Sequence, residues 1–192
     1  MACRYFQVIS LLLLILTSCQ DNSKAPQVTI NSTVENGDLI LRREGGFISS
    51  LFSSVASDDK TFSHIGILTV DEKGEVGVIH CEMKESKEPT SLRLESLPLF
   101  LATVDTLGIF RLQMPDTVRK KVAEHAITLL NKGATFDFDF NNETDSALYC
   151  TEFVAKTINR AVDRTLVQPT KFFAGKIGYS LDDITKYCDR VH

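Results

Sequence analysis

Two apolar-rich runs, residues 63–70 and 76–82, flank the turn Asp71-Glu72-Lys73-Gly74-Glu75. They read as strands joined into an antiparallel hairpin, with a loop slightly longer than the commonest lengths. Successive side chains on a strand point to opposite faces. His64, Gly66 and Leu68 therefore share one face of the first strand, and Val78, His80 and Glu82 share one face of the second. With a matching register both histidines point the same way, and Cys81 points to the opposite face as core packing.

A second stretch, Asp145-Ser146-Ala147-Leu148-Tyr149-Cys150-Thr151-Glu152-Phe153-Val154, reads as a helix start. Asp145 or Ser146 suits the N-cap, because its side-chain oxygen can accept from a free backbone N–H. Leu148, Phe153, Val154, Ile158, Ala161 and Val162 then recur near helical spacing. This places Cys150 in the first turn, close to the positive end of the helix dipole, where a thiolate is stabilised and its pKa falls. A lone cysteine is more often a small buried hydrophobe. Its meaning depends on partners elsewhere in the chain.

The remaining segments are read around these two. Gly37-Asp38-Leu39-Ile40-Leu41-Arg42 is a turn and a strand, and residues 44–59 form a short helix or ordered loop. Residues 92–101 read as an irregular connection and 106–112 as a third strand. Pro115-Asp116 opens an amphipathic helix with Val118, Val122, Ala126 and Leu129 on one face, ended by Asn131-Lys132-Gly133. His125 stands beside the polar face of that helix and reads as solvated. Phe136-Asp137-Phe138-Asp139-Phe140 alternates as a strand with one aromatic face. Its two aspartates have no third ligand at a metal-loop spacing, so no metal is expected there. Residues 181–188 form a short helix, and His192 is expected to fray.

Near its start the chain carries Arg4, an apolar run over residues 9–16, and Leu16-Thr17-Ser18-Cys19. This ending resembles the lipobox of bacterial lipoproteins, which implies cleavage before Cys19 and acylation of its thiol. The run is short for a membrane span. Residues 1–18 are thus a lipoprotein signal peptide and 19–34 a tether, leaving 35–192 as one domain. A lipid anchor implies the bacterial cell envelope, at the outer membrane. Of the cysteines left in the domain, Cys81 and Cys188 could pair and spare Cys150. A net charge of -4, with no long basic run, argues against a nucleic-acid partner.

Cysteine with histidine is the thiol form of nucleophile and base, with a third polar group to orient the imidazole. Cys150, His64 and His80 fill those roles here, with Glu82 as an alternative orienting group. Gly37-Asp38-Leu39-Ile40, Ser63-His64-Ile65-Gly66-Ile67, Val78-Ile79-His80 and Tyr149-Cys150-Thr151-Glu152-Phe153-Val154 resemble the circularly permuted NlpC-type papain-like hydrolases, the YiiX-like branch. The resemblance covers residues 37–162. It implies an α+β fold, an antiparallel, partly barrel-like sheet with the Cys150 helix packed against it. It further implies amide or ester hydrolysis, or acyl transfer, through an acyl-thioester on Cys150. No cofactor is implied. The substrate class stays open among cell-wall peptides, lipids and acylated amines. The alternative is a non-catalytic lipoprotein that keeps the groove to hold a lipid or peptide.

Overall fold

The computed structural model of the protein describes residues 33–44, 57–58, 60–82, 91–102, 104–173 and 175–192. The expected signal peptide, Cys19, nearly all of the expected tether and most of the 44–59 segment lie outside the described residues. The strands are β1 (Leu39–Glu44), β2 (His64–Val70), β3 (Val76–Cys81), β4 (Leu92–Ser96), β5 (Val104–Leu112), β6 (Thr135–Phe136), β7 (Ala147–Leu148), β8 (Lys171–Phe173), β9 (Lys176–Gly178) and β10 (Cys188–Arg190). The helices are α1 (Leu97–Phe100), α2 (Asp116–Asn131), α3 (Cys150–Ala161) and α4 (Leu181–Thr185). Six strands form one sheet in the order β10-β5-β1-β2-β3-β4, every neighbouring pair antiparallel. The architecture is mixed α/β, as expected of a permuted papain-like fold.

Strand alternation divides the apolar residues into two cores. Leu39, Leu41, Ile65, Ile67, Ile79 and Cys81 face α2 and α3, packing against Val122, Ala126, Leu129, Phe153, Val154 and Ile158. Ile40, Leu68, Val78, Ile109 and Phe100 form a smaller cluster on the other face. Phe153, Val154 and Ile158 are fully buried, and each such side chain contributes about 1.5–3 kcal/mol of burial free energy.

Three segments differ from their sequence patterns. Residues 92–101 are regular, forming edge strand β4 and then α1. The alternation of residues 136–140 stops after Phe136, because the Asp137 carboxylate accepts from the backbone N–H of Asp139 (2.8 Å) and of Asn141 (2.5 Å) and folds the chain into a loop. Those two backbone donors partner the buried Asp137 carboxylate. At the C-terminus α4 ends at Thr185, and Cys188–Arg190 adds strand β10 beside β5. His192 is tied down, its carbonyl accepting from Ile109 N–H at 3.1 Å.

Candidate active site

Helix α3 begins at Cys150 itself, with Tyr149 as N-cap. Neither Asp145 nor Ser146 caps it, because Ala147 and Leu148 first pair in parallel with Thr135 and Phe136 and hold the chain extended. The buried carboxylate of Glu152 accepts instead from Tyr149 N–H at 3.3 Å. The residues on both sides of the thiol are locked to Tyr179. Its N–H donates to the Tyr149 hydroxyl at 2.8 Å, and its carbonyl accepts from the Thr151 hydroxyl at 2.7 Å. Tyr149 also donates to Asn142 Oδ1 at 3.0 Å.

The Cys150 sulfur faces the backbone N–H groups of Thr151, Ile65 and Cys150 itself, all of which favour the thiolate. Ile65 can supply one because the β2–β3 ladder begins one residue later, at Gly66↔His80. The helix start therefore acts as the sequence suggests, but it does not set the balance. Burial outweighs these N–H groups and pushes the Cys150 thiol up to about 11. The expected lowering of the thiol pKa is corrected accordingly.

The two histidines meet. His64 Nε2 lies 2.9 Å from His80 Nδ1, and the rings cross edge to face at 5.1 Å. Both rest on Phe100, at ring-centre distances of 6.0 Å for His64 and 4.9 Å for His80. This is the face of the smaller core, whereas α3 packs on the opposite face. The Cys150 sulfur sits at the N–H of Ile65, the chain neighbour of His64. Burial, with the charges of His80, Arg42 and Arg93, holds His64 well below the usual imidazole range. Burial thus favours the uncharged form of both the thiol and the His64 imidazole.

The sequence model of the family described as permuted papain-like amidase enzyme, YaeF/YiiX, C92 family, matches residues 33–189. The chain belongs to that family. Membership makes it a hydrolase of the papain-like amidase type. Its fold is also that of the metalloprotein YiiX from Escherichia coli O157:H7, with a TM-score of 0.63 and 17% sequence identity over 82% of this chain and 96% of the other. No curated protein matches the chain.

In this C92 chain Glu82 does not orient His64. Its two carboxylate oxygens are taken by Arg42 and Arg93, each at 2.6 Å. Among the described residues, Glu95 of β4 lies beside the histidine pair, its Oε2 3.2 Å from His80 Nε2. Strand pairing brings it there: His80 opposes Arg93 and Val78 opposes Glu95, so Glu95 stands diagonally across from His80. Arg42 completes the surround, its guanidinium 3.9 Å above the Phe100 ring and hydrogen-bonded to the Phe100 carbonyl. Sequence reading misses Glu95 because residues 92–101 look irregular, although Leu92-Arg93-Leu94-Glu95 does alternate. Cys81, Cys150 and Cys188 are all free thiols. Cys81 donates to the Leu148 carbonyl at 2.9 Å, so the Cys81–Cys188 pairing considered from the sequence is not formed.

Proposed function

We propose that the chain is a cysteine amidase or acyl hydrolase of the bacterial cell envelope, with Cys150 as nucleophile, His64 as base and His80 as the residue orienting His64. The observation that carries this reading is the 2.9 Å contact of His64 Nε2 with His80 Nδ1, made by the chain neighbour of Ile65, whose N–H faces the Cys150 sulfur. In the reaction the thiol proton passes to His64 Nδ1 as sulfur attacks an amide or ester carbonyl. The oxyanion is held by N–H groups at the start of α3, and the protonated His64 gives its proton to the leaving amine or alcohol. Water, deprotonated by His64, then hydrolyses the thioester and frees the thiol. Because burial favours both neutral forms, only a small fraction rests as thiolate and imidazolium, and the proton otherwise moves during attack.

That same neutrality favours a second reading, a groove that only binds a lipid or peptide. The pH profile of Cys150 alkylation by iodoacetamide separates the two. A working pair gives a rate plateau between the two apparent pKa values of the pair, because a fixed fraction exists as thiolate and imidazolium. His64→Ala should abolish the plateau and leave one rise above pH 9. A wild type with no plateau favours the binding protein.

The relative YiiX is a metalloprotein. Among the described residues, His80, Glu82 and Glu95 bring donor atoms within 4.8 Å of one another. Both carboxylates are already bound to guanidinium groups, whose charges oppose a cation. The set does not fit a metal as arranged.

The cell-envelope part of the proposal rests on residues 1–19. No described helix is long and apolar enough to cross a membrane. With Cys19 acylated after removal of residues 1–18, Cys19→Ser should move the protein from the membrane fraction to the soluble one. Unchanged membrane association would sink the anchor.

A further inference from the structure

Helix α3 carries two buried threonines whose hydroxyls are used differently. Thr157 donates to the Phe153 carbonyl one turn back, at 2.6 Å, the ordinary place for a hydroxyl within a helix. Thr151 instead donates out of its helix, at 2.7 Å, to the carbonyl of Tyr179, 28 residues further along the chain. The backbone N–H of Thr151 lies in the first turn of α3, where no intrahelical acceptor exists. It faces the Cys150 sulfur, and among the groups that favour the thiolate it weighs most.

A first-turn N–H is aimed only as well as the backbone behind it is held, because helix ends fray. Before the nucleophile, Ala147 and Leu148 are held by pairing with Thr135 and Phe136. After it, the Thr151 hydroxyl supplies the tie to Tyr179. Threonine suits this task, since branching at Cβ leaves few side-chain rotamers. Fixing the hydroxyl therefore fixes the side chain against its own N–H. Thr151 is 3% exposed, so water does not take the place of the bond.

We propose that Thr151 is a positioning residue: the bond from its hydroxyl to the Tyr179 carbonyl holds its N–H on the Cys150 sulfur and so favours the thiolate. This rests on the reading of Cys150 and His64 as nucleophile and base. Other titratable groups bear on the thiol, namely Glu82 just past β3, Cys81 of β3, and Tyr149 and Glu152 beside it on the chain. Replacing Thr151 by an uncharged residue changes the charge of none of them.

The test is the pH profile of Cys150 alkylation by iodoacetamide in the full chain. Thr151→Val keeps the shape of the side chain and removes the donor. Its rate at pH 8 should fall about threefold, and the rise with pH should move up by about half a unit, since a lost N–H disfavours the thiolate. Thr151→Ser keeps the hydroxyl and should return both to the wild-type values. Thr157→Val removes the other buried hydroxyl of the same helix and should leave the profile in place. A Thr151→Val profile that overlays the wild type, or an equal shift in Thr157→Val, overturns the role of Thr151. Loss of the plateau in His64→Ala, measured alongside, leaves the nucleophile–base reading standing in either case. If His64→Ala keeps the plateau, both fall. Hydrogen exchange at the Thr151 amide of the wild type gives a second measurement that needs no variant. Held on the sulfur, that amide should exchange about a hundredfold or more slower than in an unstructured chain. Exchange at the unstructured rate overturns the proposal.

Discussion

The carboxylate of Glu152 lies 2.7 Å from the ammonium of Lys156, one helical turn further along α3, yet Glu152 is wholly buried. Burial wins over this ion pair and over the Tyr149 N–H, pushing the carboxyl from 4.5 up to about 7. The folded state therefore binds a proton more readily than the unfolded chain between those values. The stability this gives is complete below about pH 4.5 and is lost as pH rises to about 7, a span worth about 3 kcal/mol. His64 acts with the opposite sign, since its folded pKa is depressed and its contribution is lost on acidification. The difference between wild type and Glu152→Gln isolates the glutamate. Denaturant titrations from pH 4.5 to 7.5 should show Glu152→Gln gaining on the wild type as pH rises. A constant difference across that range would mean that Glu152 stays ionised throughout.

Gly66 on β2 pairs directly with His80 on β3. A Cβ placed there would meet Val78 Cγ1 at 2.6 Å, the Ile79 carbonyl at 3.1 Å and His80 Cβ at 3.2 Å. The last two cannot yield without shifting β3, and with it His80. Gly66→Ala should cost about 1–3 kcal/mol in denaturant midpoint analysis, the usual price of overpacking. It should also lower the alkylation plateau of Cys150. A variant as stable as the wild type would show that β3 moves freely here.

Tyr149 ties the turn before the nucleophile to the chain after β9. Tyr149→Phe leaves the Tyr179 N–H without its acceptor in a buried setting, which costs about 1–3 kcal/mol. The thermal midpoint should fall accordingly, and hydrogen exchange at the Tyr179 amide should accelerate. Unchanged protection of that amide would show that another acceptor replaces the hydroxyl.

The hairpin of β2 and β3 was legible because its alternation is set by side-chain period alone, and the shared face of His64 and His80 follows from it. The placement of Cys150 at a helix start was legible for the same local reason. What was not legible depends on partners far along the chain. Asp137 breaks an apparent strand by capping amides within its own loop. Ala147 and Leu148 displace the N-cap because Thr135 and Phe136 are there to pair with. Glu95 matters only through the β3–β4 register, and the leucine pattern that could have revealed β4 is blurred by an edge strand whose Leu94 stays 56% exposed. The direction of the thiol pKa is not legible locally, because burial is a property of the assembled fold and outweighs the few N–H groups the helix start supplies.

Phe100 is the floor on which the histidine pair and Arg42 rest, and a double-mutant cycle can separate its ring from its backbone. The Arg42 guanidinium stands 3.9 Å over the ring and also bonds to the Phe100 carbonyl. Phe100→Leu removes the ring face but keeps that carbonyl and most of the volume. It should cost about 1.5 kcal/mol or less from packing, plus the lost interaction with Arg42. Arg42→Met keeps much of the buried stem and removes the charge, while Glu82 retains Arg93 as a partner. For a desolvated cation over an aromatic face the coupling should be about 2 kcal/mol. Arg42 is 3% exposed, so solvent screens little of it. Unfolding free energies of the wild type, both single variants and the double variant give the coupling directly. A value near zero would assign Phe100 to packing alone and leave Arg42 held by Glu82 and the carbonyl. A value of the expected size would make the ring part of the electrostatic setting of His64, because a guanidinium satisfied by an aromatic face exerts less of its charge on the neighbouring imidazoles. In that case Phe100→Leu should also move the acid limb of the Cys150 alkylation profile to lower pH.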